Sequence, residues 1–254
     1  MTPIHDHRGL GLPESISVAL FDLDGVLTDT AAVHRRAWKA VFDEFLAGRS
    51  HGAFRPFSDS DYLGYVDGRS RADGIREFLK SRGITLPEGE ADAEEGEASV
   101  AGLGNRKNRL FRSILERDGA QVYPGSAKYL SAVRAAGVKT GVVTASANAA
   151  AVLSAADLGR LVDVRIDGVE IARRGLRGKP APDAFLAGAE ALEAKPGQAA
   201  AFEDAIAGVT AGHAAGFGFV VGVDRVRDGT HAEALRRAGA DVVVTDLSEL
   251  GARQ

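Results

Sequence analysis

The feature that most constrains this chain is the alternation that begins near Val122 and runs to the C-terminus. "VKTGVVTAS" reads as a strand and "NAAAVLSAADLG" as a helix ending at Gly159. "PDAFLAGAEALEA" is a helix with Pro182 near its start, "QAAAFED" a strand, and "AIAGVTAGHAAG" a helix. "FGFVVGVD", "HAEALRRAGA" and "DVVVTD" complete the series as strand, helix and strand. Short apolar strands separated by helices build a parallel sheet, because only a crossover can return the chain to the same end of the sheet. Their nearly continuous apolar character suits a sheet covered on both faces. One further strand, "SVALF", stands far upstream and is followed at once by Asp22, Asp24 and Gly25.

Between that strand and the alternating half lies a different pattern. "AAVHRRAWKAVFDEFLAG", "SRADGIREFLKSRG" and "NRKNRLFRSILERDG" carry apolar residues at helical spacing, with no strong strand between them. The expected architecture is α/β: a Rossmann-like, doubly wound parallel sheet with an inserted α-helical cap. Residues 1–30 and 123–254 form the discontinuous core, and 31–122 the cap. The acidic stretch from Leu86 to Ser99, with its run Glu88 to Glu97, is expected to be a solvated, mobile surface loop, because like charges repel and nothing apolar anchors them.

The bulk numbers exclude several classes. The 254 residues carry a formal net charge of -4, which gives no general field for nucleic acid or an anionic membrane. The absence of cysteine removes disulfides, zinc thiolates and a thiol nucleophile. "MTPIHDHRGLGLPES" has no apolar core of a secretory signal, and no apolar run is long enough to span a bilayer, so a cytoplasmic location is expected. The oligomeric state stays open, with a monomer as the default.

In an open parallel sheet, ligands bind beyond the carboxyl ends of the strands. Those ends carry Asp22 and Asp24, then Thr144 and Ser146, then Glu203 and Asp204, with Lys179 on the "RGKPAPD" loop. Each has an ordinary reading. An Asp-x-Asp is common at turns, Thr144 and Ser146 can cap a helix, Glu203 and Asp204 suit a helix start, and Lys179 can be a solvated loop residue. Together they fit phosphoryl transfer. Clustered carboxylates resist joint ionisation, and a hard cation such as Mg²⁺ relieves this while binding phosphate oxygens. One Asp is then free to attack phosphorus, the other two residues away can move a proton, and Thr144 with Lys179 can neutralise the phosphoryl oxygens.

"FDLDGVLTDT", "VVTAS", "GKPAPD" and "FEDAIAG" resemble, in order and spacing, the four motifs of the haloacid dehalogenase-like superfamily. Within it, "FDLDGVLTDTAAVHRRAWK", "GRSR" at Gly68 to Arg71 and "RKN" at Arg106 to Asn108 resemble the β-phosphoglucomutase-like family, over Val18 to about Asp224. The resemblance implies Asp22 as nucleophile and Asp24 as general acid/base. It implies Mg²⁺ held by Asp22, the Asp24 carbonyl, Glu203 and Asp204. It places Thr144, Ala145 and Lys179 on the transferred phosphoryl, and Arg71, Ser146 and Asn148 on the second phosphate of a bisphosphate. His34 and Lys107 organise the acid/base and the closed cap, Trp38, Gly68 and Ser70 join the substrate site, and Thr30 marks the hinge.

On the residues alone, His34, Lys107 and Arg71 read equally as packing, a basic face and a surface pair. The chain departs from the family at Ala147, where the pattern carries a lysine for the distal phosphate; Arg173, Arg174 and Arg177 could compensate, but a solvated basic loop is the preferred reading of them. The implied reaction is conversion of β-glucose 1-phosphate to glucose 6-phosphate through glucose 1,6-bisphosphate. The alternatives are a phosphatase acting on a small sugar phosphate and, in another class, a non-catalytic binding module.

Overall fold

The computed structural model describes residues 7, 9–49 and 54–252. The first six residues, quoted above for the absence of a signal, lie outside the described residues, as does residue 8. Six parallel strands form one sheet in the order β3-β2-β1-β4-β5-β6. They are β1 (Val18–Phe21), β2 (Lys139–Val143), β3 (Val164–Ile166), β4 (Ala199–Glu203), β5 (Phe219–Val223) and β6 (Val242–Val244). β1 lies between β2 and β4, with Phe21 opposite Val142 on one side and Phe202 on the other. The order reverses direction around β1, so the crevice for a ligand opens at its carboxyl end.

Side-chain alternation along the strands feeds two cores. Ala19, Phe21, Val142, Ala200, Phe202 and Val221 face a layer with Phe111, Tyr129, Leu130 and Val152. Val18, Leu20, Val143, Ala199, Ala201 and Val220 face the opposite layer, with Phe185, Val209 and Leu235. Those layers are built from α5 (Pro124–Ala135) and α6 (Ala149–Ala155) on one side, and α8 (Asp183–Ala191), α9 (Ile206–Ala214) and α10 (Thr230–Arg237) on the other. Both faces of the sheet are therefore covered, which explains why its strands read as unbroken apolar runs.

The helical block comprises α1 (Thr30–Arg49), a three-residue turn α2 (Asp59–Asp61) continued by a π-helix over Tyr62–Val66, α3 (Arg71–Ser81) and α4 (Val100–Asp118). It has its own apolar centre, in which Phe42 packs on Trp38, Phe57 and Phe78 at centroid distances of 4.9, 5.1 and 4.2 Å. Ser70 caps α3 by accepting from the Asp73 amide, and Ser99 caps α4 by accepting from the Gly102 amide. No helix among the described residues is long and apolar enough to cross a membrane.

Three elements differ from the sequence reading. β3 and α7 (Gly168–Arg174) were not expected; β3 is three residues long and half exposed, too short to show a period. α6 stops at Ala155 rather than Gly159, and Asp157 then turns with φ 52°. The acidic stretch does not stand free. Glu88 takes two hydrogen bonds from Arg76, at 2.9 and 2.7 Å, and Glu95 pairs with Arg109. Asn105 Nδ2 donates to the carbonyls of Ala91 and Ala93, and Ala93 is buried. The stretch is the exposed surface loop that was expected, with Ala93 and Ser99 buried, and cations on α3 and α4 offset part of its charge repulsion.

Candidate active site

Asp22 and Asp24 leave β1 at the sheet's carboxyl end, where the Asp22 amide donates to the Phe202 carbonyl at 2.9 Å. The tight turn that follows needs glycine. Gly25 has φ +96°, and a Cβ there would sit 1.8 Å from Asp204 Oδ2. So the glycine after the two aspartates is what lets the β4 carboxylate approach them.

Lys179, 3% exposed, lies behind the cavity wall. Its Nζ donates to Asp22 Oδ1 at 2.6 Å, Glu203 Oε1 at 2.5 Å and the Val143 carbonyl at 2.9 Å. Burial alone would depress its pKa, but Asp22 and Glu203 outweigh that and raise it, so Lys179 is a fixed cation. Asp22 is pushed up by burial, and Glu203 and Asp24 push the same way against Lys179. Asp204 is raised by burial and by Asp67, Glu203 and Asp22, and no donor among the described residues reaches its carboxylate.

Oxygens of Asp22, Glu203 and Asp204 lie within 4.8 Å of one another, all buried. A trio of buried carboxylates with one ammonium among them, and one member without a donor, fits a divalent cation bound by oxygen ligands. Asp22 and Glu203 each share one oxygen with Lys179 and keep lone pairs for a cation, while Asp204 keeps both oxygens. Glu203 is held in place by Lys179 on Oε1 and by the Ala205 amide on Oε2.

Asp24 turns its carboxylate away from that trio. Oδ1 accepts from the Thr30 hydroxyl and faces His34 Nε2 at 3.5 Å, while Oδ2 accepts from Thr144 Oγ1 at 3.3 Å. Burial would raise its pKa, but His34, Thr30 and Lys107 outweigh burial and hold it at about 2. Lys107 Nζ and His34 Nδ1 are hydrogen-bonded; a charged Lys107 can only donate, which leaves the proton of a neutral imidazole on Nε2, toward Asp24. Lys107 is buried, 4.9 Å over Trp38 and 5.1 Å over Phe111; burial and Arg71 lower its pKa to about 7. His34 is lowered by burial and by Lys107, with Asp24 opposing. Asp24 is thus ionised in the resting site and free to accept a proton.

A cavity of about 680 Å³ connects these groups between the sheet and the helical block. Asp22, Asp24, His34, Trp38, Gly68, Ser70, Arg71, Lys107, Thr144, Ala145, Ser146, Asn148, Glu203 and Asp204 all line it. Of the residues singled out from sequence, Lys179 and Thr30 act from behind the wall. Arg71 Nη1 donates to the Gly104 carbonyl at 3.2 Å, and burial lowers its pKa. Asn148 Nδ2 donates to Asn108 Oδ1 at 2.8 Å, joining the sheet side to α4. Arg173, Arg174 and Arg177 do not reach the cavity; they pair with Glu170, Glu190 and Asp183.

Sequence reasoning missed Asp67 on the wall and Arg225 behind it, and it gave no site role to Arg69 within "GRSR" or to Glu88 and Gly89 within the acidic stretch, which also line the cavity. Arg225 donates to the carbonyls of Gly25, Val26 and Thr245 and stacks 3.6 Å over Tyr123, which fixes the turn after Asp24. Its signal, a lone arginine after β5, is indistinguishable from a surface residue. Asp67 is pushed up to about 6 by burial and Glu203, with Tyr62 opposing.

The family model for haloacid dehalogenase-like hydrolases matches residues 16–216. A Beta-phosphoglucomutase of Mycobacterium bovis is 52% identical over 247 residues, 96% of this chain and 94% of that protein. A Validoxylamine A 7'-phosphate phosphatase of Streptomyces hygroscopicus subsp. limoneus is 32% identical, over 92% of this chain and 95% of that protein. Among solved structures, a beta-Phosphoglucomutase from Clostridium difficile superposes with TM-score 0.73 at 26% identity, covering 92% of this chain and 93% of the other.

Proposed function

This chain belongs to the haloacid dehalogenase-like hydrolases, and from that premise we propose that it is a Mg²⁺-dependent β-phosphoglucomutase, converting β-glucose 1-phosphate to glucose 6-phosphate through glucose 1,6-bisphosphate. The observation that carries this reading is the relay from Lys107 through His34 to Asp24. It assembles the acid/base from both halves of the molecule. A phosphatase needs only water and an acid; a mutase must hold its phosphoenzyme until a sugar hydroxyl arrives, so it gains from an acid/base completed by a lid. We take residues 1–30 and 123–254 as the catalytic core and 31–122 as that lid.

The chemistry follows from the positions. Phosphorylated Asp22 transfers its phosphoryl group to the 6-hydroxyl of β-glucose 1-phosphate; the acyl-phosphate bond breaks as the new P–O bond forms, and Asp24 takes the hydroxyl proton. The bisphosphate turns over within the cavity. Asp22 then attacks phosphorus at the 1-position, and Asp24 returns its proton to the departing sugar oxygen, leaving glucose 6-phosphate and phosphorylated Asp22. Thr144, the Ala145 amide and Lys179 stabilise the equatorial oxygens of the transferred group. Asp22, the Asp24 carbonyl, Glu203 and Asp204 would hold Mg²⁺, which when bound neutralises phosphoryl oxygens and the carboxylates together.

The test is a coupled assay for glucose 6-phosphate from β-glucose 1-phosphate with Mg²⁺ and trace bisphosphate. The Asp22→Asn protein should fold normally and lose turnover by several orders of magnitude, because uncatalysed phosphate-monoester cleavage is among the slowest reactions known. Activity in Asp22→Asn equal to the parent's would remove Asp22 from the role.

A further inference from the structure

The family pattern has a lysine after the Ser146 position; here Ala147 lines the cavity and offers no charge. A bisphosphate brings a second dianion into this space, and a buried phosphate without adequate cations is poorly bound. The three arginines near α7 cannot supply the charge, since each is paired with a carboxylate outside the cavity. Lys107 is turned onto His34 and the rings of Trp38 and Phe111.

Two arginines remain on the wall, Arg69 and Arg71. The helical block pairs most of its others: Arg35 with Asp59, Arg76 with Asp73 and Glu88, Arg82 with Asp61, and Arg106 with Glu44. Arg69 has no such carboxylate among the described residues. It stands on the turn between Gly68, which abuts Ala205, and Ser70, which caps α3, and its amide donates to the Val66 carbonyl at 3.2 Å. Its backbone is held in place, no carboxylate among the described residues pairs with its guanidinium, and it lines the same cavity as Ala147, Ser146 and Asn148.

Resting on the mutase reading, we propose that Arg69 replaces the missing lysine as the second cation for the distal phosphate, so that Arg69 and Arg71 grip it together. Both charges then belong to the lid and none to the core. The distal phosphate therefore pulls the lid itself shut, and binding energy from the non-reacting end is spent on closure. A guanidinium suits this place because its planar fork meets two phosphate oxygens at once.

The test is calorimetric titration of glucose 1,6-bisphosphate into Asp22→Asn protein, which binds without turning over. Adding Arg69→Leu should weaken Kd by about 10- to 100-fold, the usual loss for one charge-assisted contact. Adding Ala147→Lys to that double variant should recover most of the loss, because it restores the cation from the core side. Thermal unfolding of each variant verifies that it is folded. An Arg69→Leu protein whose Kd stays within twofold of its parent overturns the proposal. So does a loss that Ala147→Lys leaves unchanged, which places Arg69 away from the phosphate. If the Asp22→Asn parent itself fails to bind the bisphosphate, the mutase reading falls and this proposal with it. Binding by the parent with Arg69 indifferent removes the proposal alone.

Discussion

Gly68 packs the helical block against the sheet domain at Ala205, and Gly68→Ala should cripple lid closure while leaving the fold intact. A Cβ at Gly68 would lie 2.8 Å from Ala205 Cβ and 3.6 Å from Ala207 Cβ, and the residue has φ +70°. Two costs follow, and they are separable. The left-handed backbone costs an alanine about 1 kcal/mol relative to glycine wherever the lid is, and so lowers thermal stability. The clash of two methyl groups requires the surfaces to part by roughly half an ångström; overpacking of this kind costs about 1–3 kcal/mol, and only with the lid closed. Taking about 1.5 kcal/mol, kcat/KM should fall about tenfold. Ala205→Gly removes the opposing methyl at a helix N-cap, where glycine is well tolerated. The double variant should therefore regain most of kcat/KM but not the lost Tm. Steady-state kinetics and thermal unfolding read the two costs independently. A Gly68→Ala enzyme within twofold of the parent, or a loss that Ala205→Gly fails to restore, would refute the reasoning.

Two other outcomes follow from the charges. Lys107 titrates at about 7, so it is cationic below that pH and neutral above it; substrate affinity should weaken as pH rises from 6 to 8, and Lys107→Met should abolish that limb of the KM profile. An unchanged limb in Lys107→Met would assign it to another group. Mg²⁺ should raise Tm in a concentration-dependent way by neutralising the Asp22, Glu203 and Asp204 trio, and chelation should remove both the shift and the activity. Asp204→Ala should flatten the Tm response; an undiminished shift there would mean that the cation binds elsewhere.

Much of this site was legible because it sits on strand ends. The apolar runs before Asp22, Thr144 and Glu203 fixed which residues leave the sheet together, and the parallel order brought them to one edge. Lys179 was visible through its Pro-punctuated loop. What stayed hidden depends on contacts between separate elements. β3 is too short for periodicity, and the π-helix and turn from Tyr62 to Ser70 have none, so Asp67 gave no signal and Arg69 showed only within the "GRSR" likeness. The acidic stretch is the exposed loop its charge implies, but its partners, Arg76 and Arg109, lie on helices whose approach no local pattern encodes. Thr30 and His34 were noticed through family resemblance, yet their convergence on Asp24 is a tertiary fact.

The most direct test of the account is the fate of the phosphoryl group. β-Glucose 1-phosphate is incubated with the enzyme, Mg²⁺ and trace glucose 1,6-bisphosphate, and glucose 6-phosphate and inorganic phosphate are quantified in the same samples. A lid that completes the acid/base around Asp24 and excludes water predicts that nearly all product is glucose 6-phosphate, with bisphosphate stimulating the rate. Product consisting mostly of free phosphate, with no stimulation by bisphosphate, would contradict it: water would then be the acceptor and the enzyme a phosphatase.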